Sequence, residues 1–147
     1  MELKSALKGW QLNSHKKGII AGCFDIIHPG YILMFEDAKS VCDYLIIALQ
    51  SDPTIDRPEK NKPVQTLEER MIILNSIKHI DEIMLYDTEE DLYNLLKTTK
   101  IDIRILGTDY KEKSFTGDDL DIPIHFHERS HKWSATDLKK RIKTSLT

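Results

Sequence analysis

The 147 residues are enough for one domain with a buried core, and a formal net charge of -3 makes the chain mildly acidic. That charge argues against non-specific nucleic-acid binding, which depends on a basic surface that neutralises phosphates. No apolar run is long enough to span a bilayer, and residues 1–17 lack the apolar core of a secretory signal, so we expect a cytoplasmic protein with no membrane partner. In that compartment Cys23 and Cys42 are expected to be free thiols.

The chain divides into an N-terminal extension, residues 1–17, and one domain, residues 18–147. In the extension, Leu3, Leu7 and Trp10 are spaced for a short helix on one edge of the domain. A partly ordered extension is the alternative.

Within the domain, apolar runs of strand length alternate with segments of helical periodicity. Thr66, Thr88 and Ser134 each stand three residues before an acidic residue, and this pattern predicts a capping box at the start of a helix. The predicted strands are 18–21, 43–49, 82–86, 101–106 and 122–126, and the predicted helices are 31–41, 66–79, 88–97 and 134–142.

This alternation predicts an α/β fold, a single Rossmann-like doubly wound domain with a mostly parallel five-stranded sheet. Pro123 indicates that the fifth strand lies at a sheet edge, because proline cannot donate to a strand ladder. Ligands of such folds bind outside the carboxyl ends of the strands, where the strand order reverses. Four polar segments follow predicted strands and would meet there, namely 22–31, 51–63, 107–113 and 129–136.

Residues 22–31 have the composition of an anion site at a strand-to-helix turn. Gly22 and Gly30 allow the backbone to approach a ligand closely, and Pro29 suits the first turn of a helix. A helix N-terminus directs unpaired N–H groups and positive potential at an anion. His28 would therefore lie where a triphosphate binds.

This segment resembles the GxFDxxHxGH signature of the small nucleotidyltransferases, the cytidylyltransferase family within the HxGH superfamily, which includes glycerol-3-phosphate cytidylyltransferase. In that family both imidazoles stabilise charge on the attacked phosphate. Here the second histidine is replaced by a tyrosine, whose hydroxyl donates one hydrogen bond and carries no positive charge near neutral pH. Asp25 would orient the loop or the substrate, and an Asx-type turn is the alternative. The nucleotide-binding residues implied in this loop are Gly22, Cys23, Phe24, Asp25, His28, Gly30 and Tyr31.

Residues 129–136 resemble a second element of the family, RxxxxSxT. The resemblance implies that Arg129 clamps phosphate oxygens, while Ser134 and Thr136 present hydroxyls and backbone N–H groups at the start of a helix. A plain N-cap is the alternative for Ser134, and it does not exclude phosphate binding. His131 and the lysine after it add two candidate cations that partly compensate for the histidine missing from the first motif.

The resemblance also implies an acceptor site and a base pocket. Lys60 and Lys62 stand where relatives carry basic residues for the phosphorylated co-substrate and the triphosphate, and a solvated charged loop is the alternative. Arg70 matches a position that contacts a nucleotide or substrate phosphate, and an ion pair on the helix surface is the alternative. Gly107 and Asp109 belong to a Gly-Thr-Asp-Tyr stretch that resembles the element lining the base and ribose pocket.

Three histidines near the C-terminus, His125, His127 and His131, raise the question of a metal site. No recognised zinc spacing provides the remaining ligands, so no dedicated protein metal site is predicted. Mg²⁺ is expected as the cofactor, because it arrives with the triphosphate and keeps several waters.

The resemblance implies transfer of CMP from CTP to a small phosphorylated acceptor, which gives a CDP-linked product and pyrophosphate. The acceptor would be a polyol phosphate such as glycerol 3-phosphate, or an amino-alcohol or amino-acid-like phosphate. Its oxygen is already ionised, so catalysis needs positioning and charge stabilisation rather than a general base or a covalent intermediate. The implied catalytic residues are His28, Arg129 and Lys62, and the implied substrate-binding residues are Asp25, Lys60, Lys62 and Arg70.

Three alternatives stay open on the sequence. The first is an ATP-using adenylyltransferase of the same family. The second is a non-catalytic nucleotide-binding homologue, suggested by Tyr31 and opposed by the retention of the other phosphate-binding residues. The third is a fragment of a class I aminoacyl-tRNA synthetase, which the lack of a basic face opposes. The family resemblance also implies a homodimer.

Overall fold

The computed structural model describes residues 16–147, so the helix expected at Leu3, Leu7 and Trp10 lies outside the described residues. This part of the chain contains five strands and four α-helices, with an α-helix after every strand except the fourth. The strands are β1 (Lys17–Gly22), β2 (Tyr44–Gln50), β3 (Glu82–Tyr86), β4 (Ile103–Gly107) and β5 (Ile124–His127). The helices are α1 (Pro29–Val41), α2 (Leu67–Asn75), α3 (Glu89–Thr98) and α4 (Ala135–Ser145). None of these helices is long and apolar enough to cross a membrane.

The five strands form one sheet in the order β3-β2-β1-β4-β5, and every neighbouring pair is parallel. The predicted doubly wound α/β domain is therefore confirmed. The strand order reverses at β1, and β1 pairs with β4 only through Gly18 and Ile19. Beyond that point the two strands do not pair, so a crevice opens between their carboxyl ends. Pro123 lies just before β5, which is an edge strand as predicted.

The hydrophobic core has two layers, one on each face of the sheet. Neighbouring residues of β1 point to opposite faces, so Ile20 packs in the cluster that contains Phe35 of α1, while Ile19 packs in the cluster that contains Leu92 of α3. Every residue of β2 is buried, as expected for a central strand covered on both faces. These layers hold the strand ends, and the loops that follow them, in fixed positions.

The helix starts follow the sequence pattern more closely than the helix ends. Thr66 and Thr88 both form complete capping boxes, as predicted, and the Ser134 hydroxyl accepts a hydrogen bond from the N–H of Asp137. The predicted helix over 66–79 is too long, because α2 ends at Asn75. After it the chain tightens into turns, with the N–H of Ser76 donating to the carbonyl of Ile73.

A carboxylate links α1 to the edge strand. Asp37 of α1 lies 3.1 Å from His125 Nε2 and 2.7 Å from His127 Nδ1, both on β5. Burial alone would raise the pKa of Asp37, but the hydrogen bonds from the two histidines outweigh that effect and lower it. We call this cluster the α1–β5 clamp.

Cys42, the C-cap of α1, and Cys23 are both free thiols, as predicted.

Candidate active site

The loop between β1 and α1 has an unusual backbone. Phe24 and Ile26 have φ values of 51° and 53°, in the left-handed region that favours glycine. For a β-branched residue such as isoleucine this conformation is strained, and each such residue costs on the order of 1–3 kcal/mol. Strain of this kind persists only where neighbouring groups hold the backbone in place.

Asp25 and Gln65 hold this loop. The Asp25 carboxylate accepts hydrogen bonds from the N–H groups of Val64 and Gln65 at 2.8 and 2.9 Å, and the Gln65 side chain accepts one from the N–H of Ile26 at 2.8 Å. Lys139 of α4 lies 3.3 Å from the same carboxylate. Asp25 therefore orients the loop, which is one of the two roles predicted for it. Its contact with substrate stays a prediction.

His28 is the N-cap of α1. Its Nδ1 accepts a hydrogen bond from the N–H of Gly30 at 3.1 Å, and Pro29 occupies the first helical position. Burial, followed by the positive charges of Arg129 and His131, lowers the pKa of His28. The ring is therefore neutral near pH 7, and its proton is on Nε2 because Nδ1 is an acceptor. His28 can thus donate one hydrogen bond from Nε2.

The ring of Tyr31 packs against the ring of His28, with the two ring centroids 4.4 Å apart. Its ring also packs against Phe24 at 5.5 Å and is stacked with Phe35 at 6.4 Å. Burial is the main cause that raises the pKa of Tyr31, so its hydroxyl stays protonated at neutral pH. Position 31 therefore supports the histidine ring above it and supplies no positive charge.

The segment between β5 and α4 faces the β1–α1 loop across a cavity of about 530 Å³, which we call the phosphate cavity after the phosphate contacts that the sequence predicts for its residues. In this segment Arg129 donates from Nη2 to the carbonyl of Trp133, and the His131 ring packs on Trp133 with centroids 5.0 Å apart. The side chains that line the cavity are mostly hydrogen-bond donors or apolar groups. The predicted nucleotide-binding residues that line it are Gly22, Cys23, Phe24, His28, Gly30, Tyr31, Gly107, Asp109, Arg129 and Ser134.

Two predicted nucleotide-binding residues do not line the phosphate cavity. The carboxylate of Asp25 makes the loop hydrogen bonds described above. Thr136 is exposed in the first turn of α4. His127 lines the cavity although no nucleotide role was predicted for it, and its Nε2 is buried without a hydrogen-bond partner.

A second cavity, of about 820 Å³, adjoins the phosphate cavity, and we call it the acceptor cavity after the acceptor site that the sequence resemblance implies. The two share wall residues from the end of β1 and the start of the loop after β4, including Gly22, Gly107 and Tyr110. The acceptor cavity lies where β1 and β4 separate, at the reversal of strand order. A ligand in one cavity would therefore be next to a ligand in the other.

Apart from Lys60, the charged side chains that line the acceptor cavity come from residues that sequence motifs did not identify. Arg57 donates to Gln50 Oε1 at 3.1 Å and lies 3.4 Å from Glu89 Oε1. Arg104 donates to the carbonyl of Thr116. The Nε atoms of both arginines and Oε2 of Glu89 are buried without a hydrogen-bond partner. One signal was available in the sequence, since an arginine at position 104 interrupts an apolar strand.

Lys60, Lys62 and Arg70, three of the predicted substrate-binding residues, lie in different environments. Lys60 lines the acceptor cavity. Lys62 is exposed, pairs with Asp52 at 3.4 Å and does not line either cavity. Arg70 is only 2% exposed and donates to main-chain carbonyls, so the surface ion pair considered as its alternative is wrong. These contacts are structural, and contact of Arg70 with a phosphate stays a prediction.

The guanidinium of Arg70 joins three separate parts of the fold. It donates to the carbonyls of Cys23 at 3.0 Å, Gln50 at 2.7 Å and Ser51 at 2.6 Å, and its Nε donates to the carbonyl of Gln65 at 3.2 Å. The ends of β1 and β2 and the entry to α2 are thereby tied to one side chain.

Within residues 16–147 no group of three or more His, Cys, Asp or Glu side chains is arranged to hold a metal ion. The carboxylate oxygens of Asp25 are engaged by the loop, and His125 and His127 are engaged by Asp37. These donors therefore do not form a protein-only site for Mg²⁺. An ion carried on phosphate oxygens and water needs few protein ligands.

The fold and the cavity define a class of protein, a doubly wound α/β domain with a cavity lined by hydrogen-bond donors at a strand-to-helix turn. Residues 19–143 match the family model described as cytidylyltransferase-like. The chain is 32% identical over 115 residues to the bifunctional protein HldE of Caulobacter vibrioides. The aligned region makes up 78% of this chain and 24% of that protein. It thus spans about a quarter of the length of that curated relative.

Two solved structures share the fold. The lipopolysaccharide core biosynthesis protein of Thermoplasma volcanium superposes with a TM-score of 0.64 at 23% identity, over 82% of this chain and 100% of that chain. The pantoate–β-alanine ligase of Francisella tularensis, solved with β-γ ATP and β-alanine, gives a TM-score of 0.56 at 18% identity, over 97% and 73% of the two chains. The chain belongs to the cytidylyltransferase-like family, a nucleotidyltransferase-type family, as the sequence motifs indicated.

Proposed function

We propose that this chain transfers a nucleotidyl group from a nucleoside triphosphate to a small phosphorylated acceptor and releases pyrophosphate. The observation that carries the proposal is the convergence of the neutral His28 donor, the Arg129 guanidinium and the N-terminus of α1 on one cavity. Such groups stabilise the charge that develops on phosphate oxygens during transfer.

In the proposed reaction the triphosphate occupies the phosphate cavity and the acceptor phosphate occupies the acceptor cavity. An acceptor oxygen attacks the α-phosphorus in line, a new P–O bond forms, and the bond from the α-phosphorus to the bridging oxygen breaks. Pyrophosphate leaves with that electron pair, so no side chain has to accept a proton. The shared walls of the two cavities support this arrangement, because they bring both ligands to the ends of β1 and β4.

The acceptor cavity supports an acceptor that carries both a phosphate and neutral or cationic polar groups. Arg57, Arg104 and Lys60 provide positive charge for a phosphate. Glu89 Oε2 lacks a hydrogen-bond partner in its buried position and would accept from a hydroxyl or an ammonium group. Polyol phosphates and amino-alcohol phosphates have both features.

The proposed nucleotide is CTP, with ATP as the alternative. The match to a cytidylyltransferase-like model supports nucleotidyl transfer without distinguishing the two nucleotides, and no residue of the motifs identifies the base. Mg²⁺ would be held by the triphosphate and its waters, and His28 and Arg129 would contact the remaining phosphate oxygens. The ion would supply charge neutralisation at the phosphates.

The test is pyrophosphate release by the full chain with Mg²⁺ and either CTP or ATP, against a panel of polyol phosphates, amino-alcohol phosphates and phosphoamino acids. Release that requires both a nucleotide and one acceptor is the expected result. Calorimetry with each nucleotide runs in parallel. Nucleotide binding without release for any acceptor would instead support the non-catalytic homologue.

Gly30→Ala is expected to lower this activity by about a hundredfold, because displacing reacting groups by an ångström can have an effect of that size. A Cβ at position 30 would lie 2.6 Å from His131 Cε1 and 2.8 Å from His28 Cε1, so at least one imidazole must move. Urea denaturation serves as the control, because loss of the His28 cap should lower the free energy of unfolding by no more than about 1 kcal/mol. A variant with wild-type turnover would contradict the assigned placement of the two rings.

A further inference from the structure

The first motif of this chain lacks its second imidazole, yet a second imidazole is present in the phosphate cavity. A Cβ built on Gly30 would lie 2.8 Å from His28 Cε1 and 2.6 Å from His131 Cε1. The two ring atoms are therefore no farther apart than the sum of these two distances. His131 comes from the segment between β5 and α4 rather than from α1. Both rings line the same cavity.

The two histidines are held by the same local contact. His28 Nδ1 accepts from the N–H two residues later, that of Gly30, at 3.1 Å. His131 Nδ1 likewise accepts from the N–H two residues later, that of Trp133, at 3.1 Å. In each ring the lone pair of Nδ1 is used, so a neutral ring carries its proton on Nε2. The two side chains are therefore equivalent donors from different parts of the sequence.

His131 is held by contacts with residues that lie outside the helices and strands. Its ring packs on Trp133, and the carbonyl of Trp133 accepts from Arg129. Arg129 and His131 also both contribute to lowering the pKa of His28, which agrees with their closeness to that ring. The segment thus presents a guanidinium and an imidazole to the cavity as one unit.

We propose that His131 replaces the missing second histidine and donates a hydrogen bond from Nε2 to a phosphate oxygen of the triphosphate beside the one that His28 contacts. Tyr31 then keeps its ring contacts with His28 and Phe35, while the donor comes from the C-terminal segment. This inference rests on the proposed function, since it assigns a second donor to the same transfer.

The decisive variant is His131→Asn. The asparagine oxygen can still accept from the N–H of Trp133, so the local turn is kept while the Nε2 donor is lost. We expect kcat to fall by about a hundredfold, the usual effect of losing one such donor. His79→Asn, a histidine outside both cavities, is the matched control and should keep wild-type kcat. Wild-type kcat in His131→Asn would overturn the proposal.

A rescue experiment separates a donor from a merely structural residue. Adding Tyr31→His to His131→Asn returns an imidazole to the first motif, and kcat is expected to recover at least about tenfold if one donor is restored. Urea midpoints of both variants verify that they fold. No recovery in a folded double variant would contradict the exchange of donors between the two positions.

Binding distinguishes failure of this inference from failure of the proposed reaction. If wild-type protein releases no pyrophosphate, calorimetric titration with Mg·CTP and Mg·ATP still measures the phosphate contact. Binding at least about tenfold weaker in His131→Asn would support the contact, since a charge-assisted hydrogen bond contributes at that level. Equal affinities of variant and wild type would overturn it.

Discussion

His28→Asn is expected to lower the kcat of nucleotidyl transfer by about a hundred- to a thousandfold, because it removes a donor aimed at the phosphate cavity. The asparagine oxygen can still accept from the N–H of Gly30, so α1 keeps its N-cap. Pyrophosphate release measures the loss of activity, and urea denaturation measures the free energy of unfolding, which should stay close to that of the wild type.

His28→Ala gives a useful comparison. It loses both the donor and the cap, so it should show a similar loss of kcat together with a decrease of about 1 kcal/mol in the free energy of unfolding. A His28→Asn protein that turns over at near-native rate would contradict the role assigned to Nε2. The pair therefore separates what this side chain does for the helix from what it does for the reaction.

Arg70→Met is expected to lower the free energy of unfolding by about 3–5 kcal/mol, because it removes several hydrogen bonds from a charged group, each of which contributes roughly 1.5–3 kcal/mol. Its guanidinium donates to the carbonyls of Cys23, Gln50, Ser51 and Gln65, and methionine leaves these groups unpaired in a site with little access to water. Equilibrium urea denaturation checks the prediction.

Arg141→Met is the matched control for Arg70→Met. Arg141 lies on α4 with its side chain 65% exposed and pairs with Asp137 at 3.4 Å, so its loss should change stability by less than about 1 kcal/mol. Arg70→Lys should be intermediate, because one ammonium cannot serve four carbonyls. If Arg70→Met kept the wild-type urea midpoint and raised only the KM for the acceptor, Arg70 would be a phosphate ligand rather than a structural brace.

Much of the fold was predictable because its signals are local. Apolar runs marked the strands, hydroxyl and acidic residues marked the helix starts, and Pro123 marked the sheet edge. The end of α2 was missed, since the turns after Asn75 bury Ile80 and partly bury Ile77, and so preserve a helix-like apolar spacing. Helix starts carry specific side-chain caps, whereas this helix end depends on tertiary packing.

The candidate site was predictable where it follows a contiguous motif. The loop after β1 and the segment before α4 contain such motifs, and both line the phosphate cavity. The acceptor cavity depends on groups brought together from distant segments, among them Arg57, Glu89 and Arg104. The charges and their spacing in the sequence do not show which group a charged side chain contacts in the fold. For the same reason the sequence does not show that four N–H donors of Arg70 meet main-chain carbonyls.

The residues after β5 have a further consequence for how the protein handles its ligand. None of the residues from 128 to 147 is buried, yet this stretch provides Arg129, His131 and Ser134 to the phosphate cavity. With so little apolar burial, its local free energy of opening must be small compared with that of the central sheet. A bound triphosphate would therefore supply a large share of the energy that keeps this stretch closed, so that ligand affinity and local order are thermodynamically linked. On this account the stretch whose order depends on the ligand would begin directly after the α1–β5 clamp, which holds His125 and His127.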